Sequence, residues 1–494
     1  MEVYKVSVSD PATQTLPTEA DPSTSAPVAV SPHLFLVLAG HRPLSQPARH
    51  SLAGLDVVTI GRGERDVGRV VADGKQHLRL SVPDPWMSSS HVRLTHILGQ
   101  WKLEDLHSRN GTFVNGLPVS TTVLSEGDVL ELGHTFFVYQ AAVSTLPEDV
   151  LDAFALPQPP HARGLTTLVP VLAREFRTLA QVARSNVSVI VRGESGTGKE
   201  LIARALHALS DRPGPFVAIN CGALPETLVE SEFFGHRRGA FSGAVADHPG
   251  LLRSADHGTL LLDEIGDLPA HAQVALLRTL QERQVQPLGA VRPISIDIRL
   301  CAATHRDLDQ LSATGTFRPD LLARISGFTL RLPPLRERRQ DIGIIIGDLL
   351  HRLVGARAEQ VSFTKEAVRA ILGYPWPLNI RELEKCLERA VALADDNLIR
   401  PEYLFESPAV PPARPFMPGP VQRMGTWPTP SSPSPGDPGD PGDEKDRLRR
   451  EELLALTIAH KGNISAMARA LGKERHQIRR WLRRYQIDPE DHRG

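Results

Sequence analysis

Cysteine is scarce in this chain: three in 494 residues, at positions 221, 301 and 386. They are far apart and lack metal-ligand spacing, so a disulfide-stapled scaffold is excluded and reduced thiols are expected. Long apolar runs are also missing. Nothing approaches the roughly 18 residues of a membrane span, and the start, MEVYKVSVSDPATQ, has no basic region followed by an apolar stretch. The expectation is a soluble, cytoplasmic protein with no membrane partner. Net charge is nearly absent at −1, but this excludes no partner, because opposite local charges cancel in the sum.

Proline is plentiful, with 41 residues unevenly spread. Segments 10–32 and 407–443 are built from Pro, Ser, Thr, Gly and Asp, a composition that buries too little apolar surface to offset the entropy of ordering. A shorter break, LPQPPHARG, precedes the largest block. The expected organisation is a disordered segment over 1–31, a domain over 32–142, a linker over 143–164, a large domain over 165–335 with a helical extension over 336–405, a linker over 406–443 and a C-terminal domain over 444–494.

In the large block, NVSVIVRGESGTGKELIARALHAL runs from a β-branched strand through a Gly-rich turn into a helix. Gly193, Gly196 and Gly198 let backbone N–H groups point into one concavity. There they and the helix N-terminus can hold phosphates, with Glu194, Ser195, Thr197 and Glu200 in the same loop and Lys199 neutralising the terminal phosphates. Further on, GTLLLDEIGDL gives a continuous apolar run, as suits a parallel strand covered on both faces. It ends in Asp263, placed to organise Mg²⁺, and Glu264, placed to orient an attacking water.

Over 165–405 the series GESGTGKE, INCGAL, ESEFFGHRRGAFSGA, GTLLLDEIGDLP, RLCAATHRDL, FRPDLLARI, LPPLRERRQDI and YPWPLNIRELE resembles the AAA+ domain of bacterial enhancer-binding proteins, the activators of sigma-54 RNA polymerase. The resemblance implies a hexameric ring that hydrolyses ATP with Mg²⁺. It implies a γ-phosphate sensor at Asn220 acting through Glu264, and a first sensor at Thr304 with His305 where Asn is more usual. Arg318 and Arg324 would be donated to the neighbouring subunit's ATP, and Arg381 would be a second sensor on the lid. The loop Gly239, Ala240, Phe241, Ser242, Gly243, Ala244 corresponds to the family's GAFTGA contact with sigma-54, with Ser242 in place of Thr.

The N-terminal block shows period-two alternation in HVRLTHI and WKLEDL, which predicts a β-sandwich. TIGRGERDV, MSSSHVRL, SRNGTFVNG and LSEGDVLELG occur in the order of a forkhead-associated (FHA) domain, which this block resembles. The resemblance implies phosphothreonine recognition by Arg62, Ser88 and Asn110, with Ser89 and Arg109 alongside, and loop-holding roles for His91 and Asn115. An Arg and hydroxyl donor set suits a dianionic phosphate. In the C-terminal block Ser465 can cap a short helix that stops at Gly472, and the next carries Ile478, Trp481, Leu482 and Tyr485 as a core stripe. Its other faces hold Arg475, His476, Gln477, Arg479, Arg480 and Arg483, suited to phosphates and guanine edges. This is a helix-turn-helix plan resembling the Fis-type domain, and upstream enhancer DNA is the partner it implies.

The fold class expected is therefore multidomain: an all-β sandwich, a central α/β ATPase with a helical lid, and an all-α helix-turn-helix. Two other readings stay open: a DNA-binding scaffold or repressor with a vestigial ATPase, and a AAA+ remodeller of another client.

Overall fold

The computed structural model describes residues 29–155 and 164–405. Expectations for 1–28, and for the helix-turn-helix with Arg475, His476, Gln477, Arg479, Arg480 and Arg483, lie outside the described residues.

The N-terminal strands are β1 (Ala29–Ala39), β2 (Ala48–Ser51), β3 (Val57–Arg62), β4 (Asp66–Ala72), β5 (Lys75–Val82), β6 (Val92–Ile97), β7 (Gln100–Asp105), β8 (Thr112–Val114), β9 (Leu117–Val119), β10 (Thr121–Val123), β11 (Val129–Leu132), β12 (Thr135–Thr145) and β13 (Asp152–Phe154). They form two sheets, ordered β13-β2-β1-β12-β11-β8-β9 and β10-β7-β6-β3-β5-β4. In β6 and β7 buried and exposed positions largely alternate, as the sequence predicts for a sheet with one wet face. In β1, by contrast, His33 and every residue from Leu34 to Ala39 are buried. Leu34 and Leu36 enter the sandwich core with Phe137 and Tyr139, while Phe35 and Val37, with Phe136 and Val138, enter a second core on the outer face. The stretch expected as a linker from 143 also differs: β12 continues to Thr145, and β13 pairs with β2. Asp152 holds it there by bonding His50 at 2.7 Å and Arg69 at 2.8 Å.

The central domain begins with α1 (Pro170–Ala183), β14 (Val189–Arg192) and α2 (Lys199–Ala208). There follow β15 (Phe216–Asn220), α3 (Glu226–Phe234), α4 (Leu251–Ser254), β16 (Thr259–Asp263) and α5 (Ala270–Glu282). A small hairpin of β17 (Gln284–Val285) and β18 (Ile294–Ser295) precedes β19 (Arg299–Thr304), α6 (Leu308–Ala313), α7 (Pro319–Ile325) and β20 (Phe328–Arg331). The sheet is all-parallel in the order β15-β16-β19-β14-β20. Its two faces explain the three leucines of β16: Leu260 and Leu262 pack toward α5 and α7, and Leu261 toward α1 and α2. Cys221 and Cys301 are buried free thiols.

The lid follows: α8 (Ile342–Val354), β21 (Ser362–Phe363), α9 (Lys365–Gly373), α10 (Asn379–Leu393), β22 (Leu398–Ile399) and α11 (Pro401–Leu404). Thr364 caps α9 by accepting the Ala367 N–H at 3.2 Å. In α10 Leu383, Leu387, Ala390 and Val391 recur at helical spacing and are all buried. They share the second core with Phe35, Val37, Phe136 and Val138 of the sandwich. Among the described residues no helix is long and apolar enough to cross a membrane.

Candidate functional site

A pocket of about 370 Å³ lies where the phosphate loop, the ends of the parallel strands and the lid meet. Gly196 and Gly198 have φ of 78° and 98°, which turn the loop so that Lys199 opens α2. Thr197 ties the loop internally through its hydroxyl to the Glu194 carbonyl at 2.8 Å. Glu200 lines the pocket and bonds Arg204 at 2.7 Å. Lys199 is buried, and its ammonium is already engaged: the Gly193 carbonyl lies at 3.1 Å and the Glu264 carboxylate at 3.2 Å.

Asp263 and Glu264 leave the end of β16 together. Glu264 takes φ 52°, a left-handed conformation rare for a side-chain-bearing residue and costing on the order of 1 kcal/mol. Burial alone would raise its carboxyl, but hydrogen bonds from His305 and the Lys199 charge outweigh it and hold the group below the usual carboxylate range. His305 contacts one carboxylate oxygen twice, through its backbone N–H at 3.2 Å and through Nδ1 at 2.7 Å. Burial and the Glu264 charge push Asp263 the other way, above its ordinary value.

The expected sensors separate. Asn220 lies in register with Asp263 on the neighbouring strand, but its side-chain oxygen accepts the Gly222 N–H at 3.0 Å. Among the described residues Glu264 is held by His305 and Lys199 instead. Thr304 is fully buried: its hydroxyl accepts the Arg306 N–H at 3.0 Å and its carbonyl accepts the Gly193 N–H at 3.1 Å. Arg381 does reach the phosphate loop, donating to the Ser195 hydroxyl at 3.0 Å. Arg318 pairs with Asp320 at 2.6 Å, and Arg324 donates to the Leu280 carbonyl at 2.9 Å. Neither lines the pocket of its own chain.

Several lid residues in this site escaped the sequence reading. Arg336 clasps Glu194 with bonds of 2.8 and 2.6 Å and holds that carboxyl below the usual range. Arg338, buried, donates to the Thr197 carbonyl at 2.8 Å, and Asn379 donates to the Ser195 carbonyl at 3.0 Å. A Cβ at Gly196 would lie 2.2 Å from the Leu378 carbonyl, so the loop glycine serves lid packing as well as the turn. The available signal was the cluster of arginines in LRERRQD.

The loop from Gly239 to Ala244 closes on itself. Gly239 donates to the Ala244 carbonyl at 2.8 Å, with φ of 83° at Gly239 and 112° at Gly243. Phe241 is 40% exposed, its ring edge-on to His236 at 4.9 Å. Arg237 and Asp247 form an ion pair at the loop's base, and Arg237 also donates its N–H to the Leu288 carbonyl at 2.9 Å. Ala240 rests on Gly289. Segment 288–289 is thus a second support that sequence reasoning missed.

In the sandwich the phosphothreonine candidates converge. The Arg62 N–H donates to the Ser88 carbonyl at 2.8 Å, the Arg109 N–H donates to the Ser88 hydroxyl at 3.0 Å, and the Asn110 side chain donates to the Trp86 carbonyl at 2.7 Å. Ser89 packs its carbonyl where a Cβ on Gly61 would stand, at 1.9 Å. His91 accepts the Ser88 N–H at 3.0 Å while its other ring nitrogen faces the Gly111 carbonyl at 3.3 Å. Asn115 binds Asp128 at 2.7 Å. Both are loop-holding contacts.

Three families match segments of the chain: the Sigma-54 interaction domain over residues 166–331, the AAA+ ATPase lid domain over 336–411 and the FHA domain over 58–133. The transcriptional regulatory protein GlrR of Escherichia coli is 40% identical over 335 residues, 66% of this chain and 69% of GlrR. The hydrogenase transcriptional regulatory protein HoxA of Cupriavidus necator is 42% identical over 311 residues, 63% of this chain and 62% of HoxA. A crystal structure of NtrX from Brucella abortus in complex with ATP is 28% identical, covering 66% of this chain and 70% of that one with a TM-score of 0.45. With a sigma-54 interaction domain, its AAA+ lid and an FHA domain in one polypeptide, the chain belongs to the sigma-54-dependent transcriptional regulators.

Proposed function

We propose that this protein is an ATP-driven activator of sigma-54 RNA polymerase whose input is a phosphothreonine-bearing protein. The observation that carries the ATPase reading is the convergence of Lys199, Asp263, Glu264 and Arg381 on one pocket roofed by the lid. Glu264 is the base that orients water. Lys199 leaves it for the phosphates when nucleotide enters, because both groups compete for the same ammonium. The donor set fits Mg²⁺: Asp263 is half-buried beside a second carboxylate in the same pocket, and that cation is commonly held by one or two carboxylates together with substrate phosphates. Mg²⁺ carried in with ATP would neutralise developing charge on the phosphate oxygens. Arg318 and Arg324, outside the pocket of their own chain, serve a neighbouring subunit's ATP in a hexameric ring. The C-terminal helix-turn-helix binds enhancer DNA, and Arg62, Ser88, Ser89, Arg109 and Asn110 bind phosphothreonine. Phe241 and Ser242 carry the work to sigma-54, a role that the exposed ring and glycine-flanked loop support.

The test is open-complex formation by sigma-54 polymerase with purified protein, ATP and enhancer-bearing DNA. ATP-dependent opening is expected. Phe241→Ala should keep ATP hydrolysis within about twofold and lose opening, since phosphoryl transfer requires no apolar side chain there. Full opening by Phe241→Ala would remove the coupling role, and opening without hydrolysis would remove the ATPase from the mechanism.

A further inference from the structure

The FHA sandwich packs against both bodies that enclose the nucleotide pocket, the lid and the α/β subdomain, without lining the pocket itself. On the lid side, Phe35, Val37, Phe136 and Val138 share one core with Ile342, Ile346, Val368 and Trp376. The approach is backbone to backbone: a Cβ on Gly343 would stand 1.8 Å from the Val37 carbonyl oxygen. Buried Glu131 receives Arg369 at 2.7 Å and Lys365 at 3.4 Å. On the α/β side, Asp149 pairs with Arg174 of α1 at 2.6 Å, and Arg49 donates to the Leu168 carbonyl at 3.2 Å. Buried Asp341 at the lid's entry ties the two sides by accepting the Thr167 hydroxyl at 2.6 Å and the Leu168 N–H at 2.8 Å.

The phosphothreonine loops stand against this seam. Asn110 donates to the Trp86 carbonyl. The Trp86 ring stacks on His134 with centroids 4.0 Å apart and planes within 8°. Asp84, fully buried, accepts from the N–H groups of Trp86 and His134 and from the Thr135 hydroxyl at 2.7 to 2.8 Å. The His134 carbonyl accepts the Gly40 N–H at 2.8 Å, and the Gly40 carbonyl accepts the N–H of Phe363 in lid strand β21 at 2.7 Å. From the same lid, Asn379 and Arg381 grip the phosphate loop. The lid that grips the phosphate loop is thus joined, through Gly40 and His134, to the Trp86 loop that accepts from Asn110.

We propose that the sandwich braces the lid against the α/β subdomain, so that phosphothreonine and nucleotide alter each other's affinity through the joint of Trp86, His134, Gly40 and Phe363. This rests on the phosphothreonine reading of the FHA domain. Linkage requires the effect to be reciprocal: the factor by which peptide changes nucleotide affinity equals the factor by which nucleotide changes peptide affinity.

The experiment uses the full chain, a fluorescent ATP analogue and an oriented library of phosphothreonine peptides with unphosphorylated counterparts. The affinity of each ligand is measured with and without saturating amounts of the other. A change of about fivefold or more, equal in both directions, is expected. His134→Ala removes the stack and keeps every backbone bond of the joint. Glu131→Gln combined with Lys365→Ala and Arg369→Ala removes the buried carboxylate together with both cations, leaving no unpaired charge. Each should keep the individual affinities and bring the mutual effect below about twofold. Phosphopeptide binding that leaves nucleotide affinity unchanged overturns the brace alone. No preference for phosphorylated peptide in the unmodified chain overturns the phosphothreonine reading, and the brace with it. Coupling that survives in both variants overturns the assigned joint.

Discussion

The two sites proposed to recognise phosphate are prepared in opposite ways. In the sandwich the Arg62 and Arg109 side chains are exposed and, among the described residues, neither guanidinium has a hydrogen-bond or ion-pair partner; only the backbone and the hydroxyl beneath them are fixed. In the ATP pocket, among the described residues, the cations that touch the loop are already engaged: Lys199 by Glu264 and two carbonyls, Arg336 by Glu194, Arg338 by the Thr197 carbonyl and Arg381 by Ser195. An open site needs little rearrangement to take a dianion. A self-occupied one binds by exchange, so on the proposed reading phosphate has to displace the Glu264 carboxylate from Lys199.

The comparison breaks most visibly at Glu264. Glu264→Gln should lower kcat by about 10² to 10⁴ fold, the range for losing a general base, while nucleotide affinity holds or rises because Lys199 no longer has a charged partner to leave. Steady-state hydrolysis alongside equilibrium titration separates the two quantities. A parallel fall in affinity would show that the Lys199 contact assembles the site instead of restraining it.

Arg62→Ala should cost less, about tenfold to hundredfold in preference for phosphorylated over unphosphorylated peptide, the worth of one or two charge-assisted bonds. Because the guanidinium has no resting partner, affinity for unphosphorylated peptide should stay put. Equal losses for both peptides, measured by calorimetry, would mean that Arg62 shapes the loop and does not bind the phosphate.

How much of this contrast was legible in the sequence follows from what each contact depends on. The loop residues Gly193 to Lys199 and the pair Asp263 and Glu264 are local patterns, and Ser195 to Lys199 line one pocket with that pair. The engagement of Lys199 by Glu264, of Glu194 by Arg336 and of Glu264 by His305 joins residues far apart in the chain, and no spacing rule reaches across such distances. Asn220, expected as a sensor from the resemblance, accepts the Gly222 N–H two residues on. The sandwich offered one signal that was passed over. HLFLVLA in β1 and TFFVY in β12 are apolar at successive positions where β6 and β7 alternate, and a strand apolar on both faces must be covered on both. The lid is that cover.

His305→Ala should lower kcat by about fivefold with KM within twofold, since it removes one charge-assisted bond that positions Glu264, discounted for the half-exposed ring. His305→Asn retains a donor and should recover most of the loss. If Asn fails to rescue, or if KM carries the change, His305 acts on binding and not on the carboxylate.

The smallest effect lies at His91, where the open site has its own hidden clamp. Burial holds this imidazole below its ordinary pKa, so it stays neutral in the folded sandwich and its Nδ1 can accept the Ser88 N–H. In the unfolded chain the same group titrates at its ordinary value of 6.5. Above that pH both states are neutral and the contribution to stability is fully present. As pH falls below it the unfolded state takes up the proton first, and stability is lost progressively toward the folded-state pKa. Urea unfolding followed through the buried Trp101, at about pH 7.5 and about pH 5.5, should therefore show a steeper acid loss for the unmodified chain than for His91→Gln, whose amide can hold Ser88 without titrating. Equal slopes for the two proteins would place the acid sensitivity of the phosphate loops elsewhere.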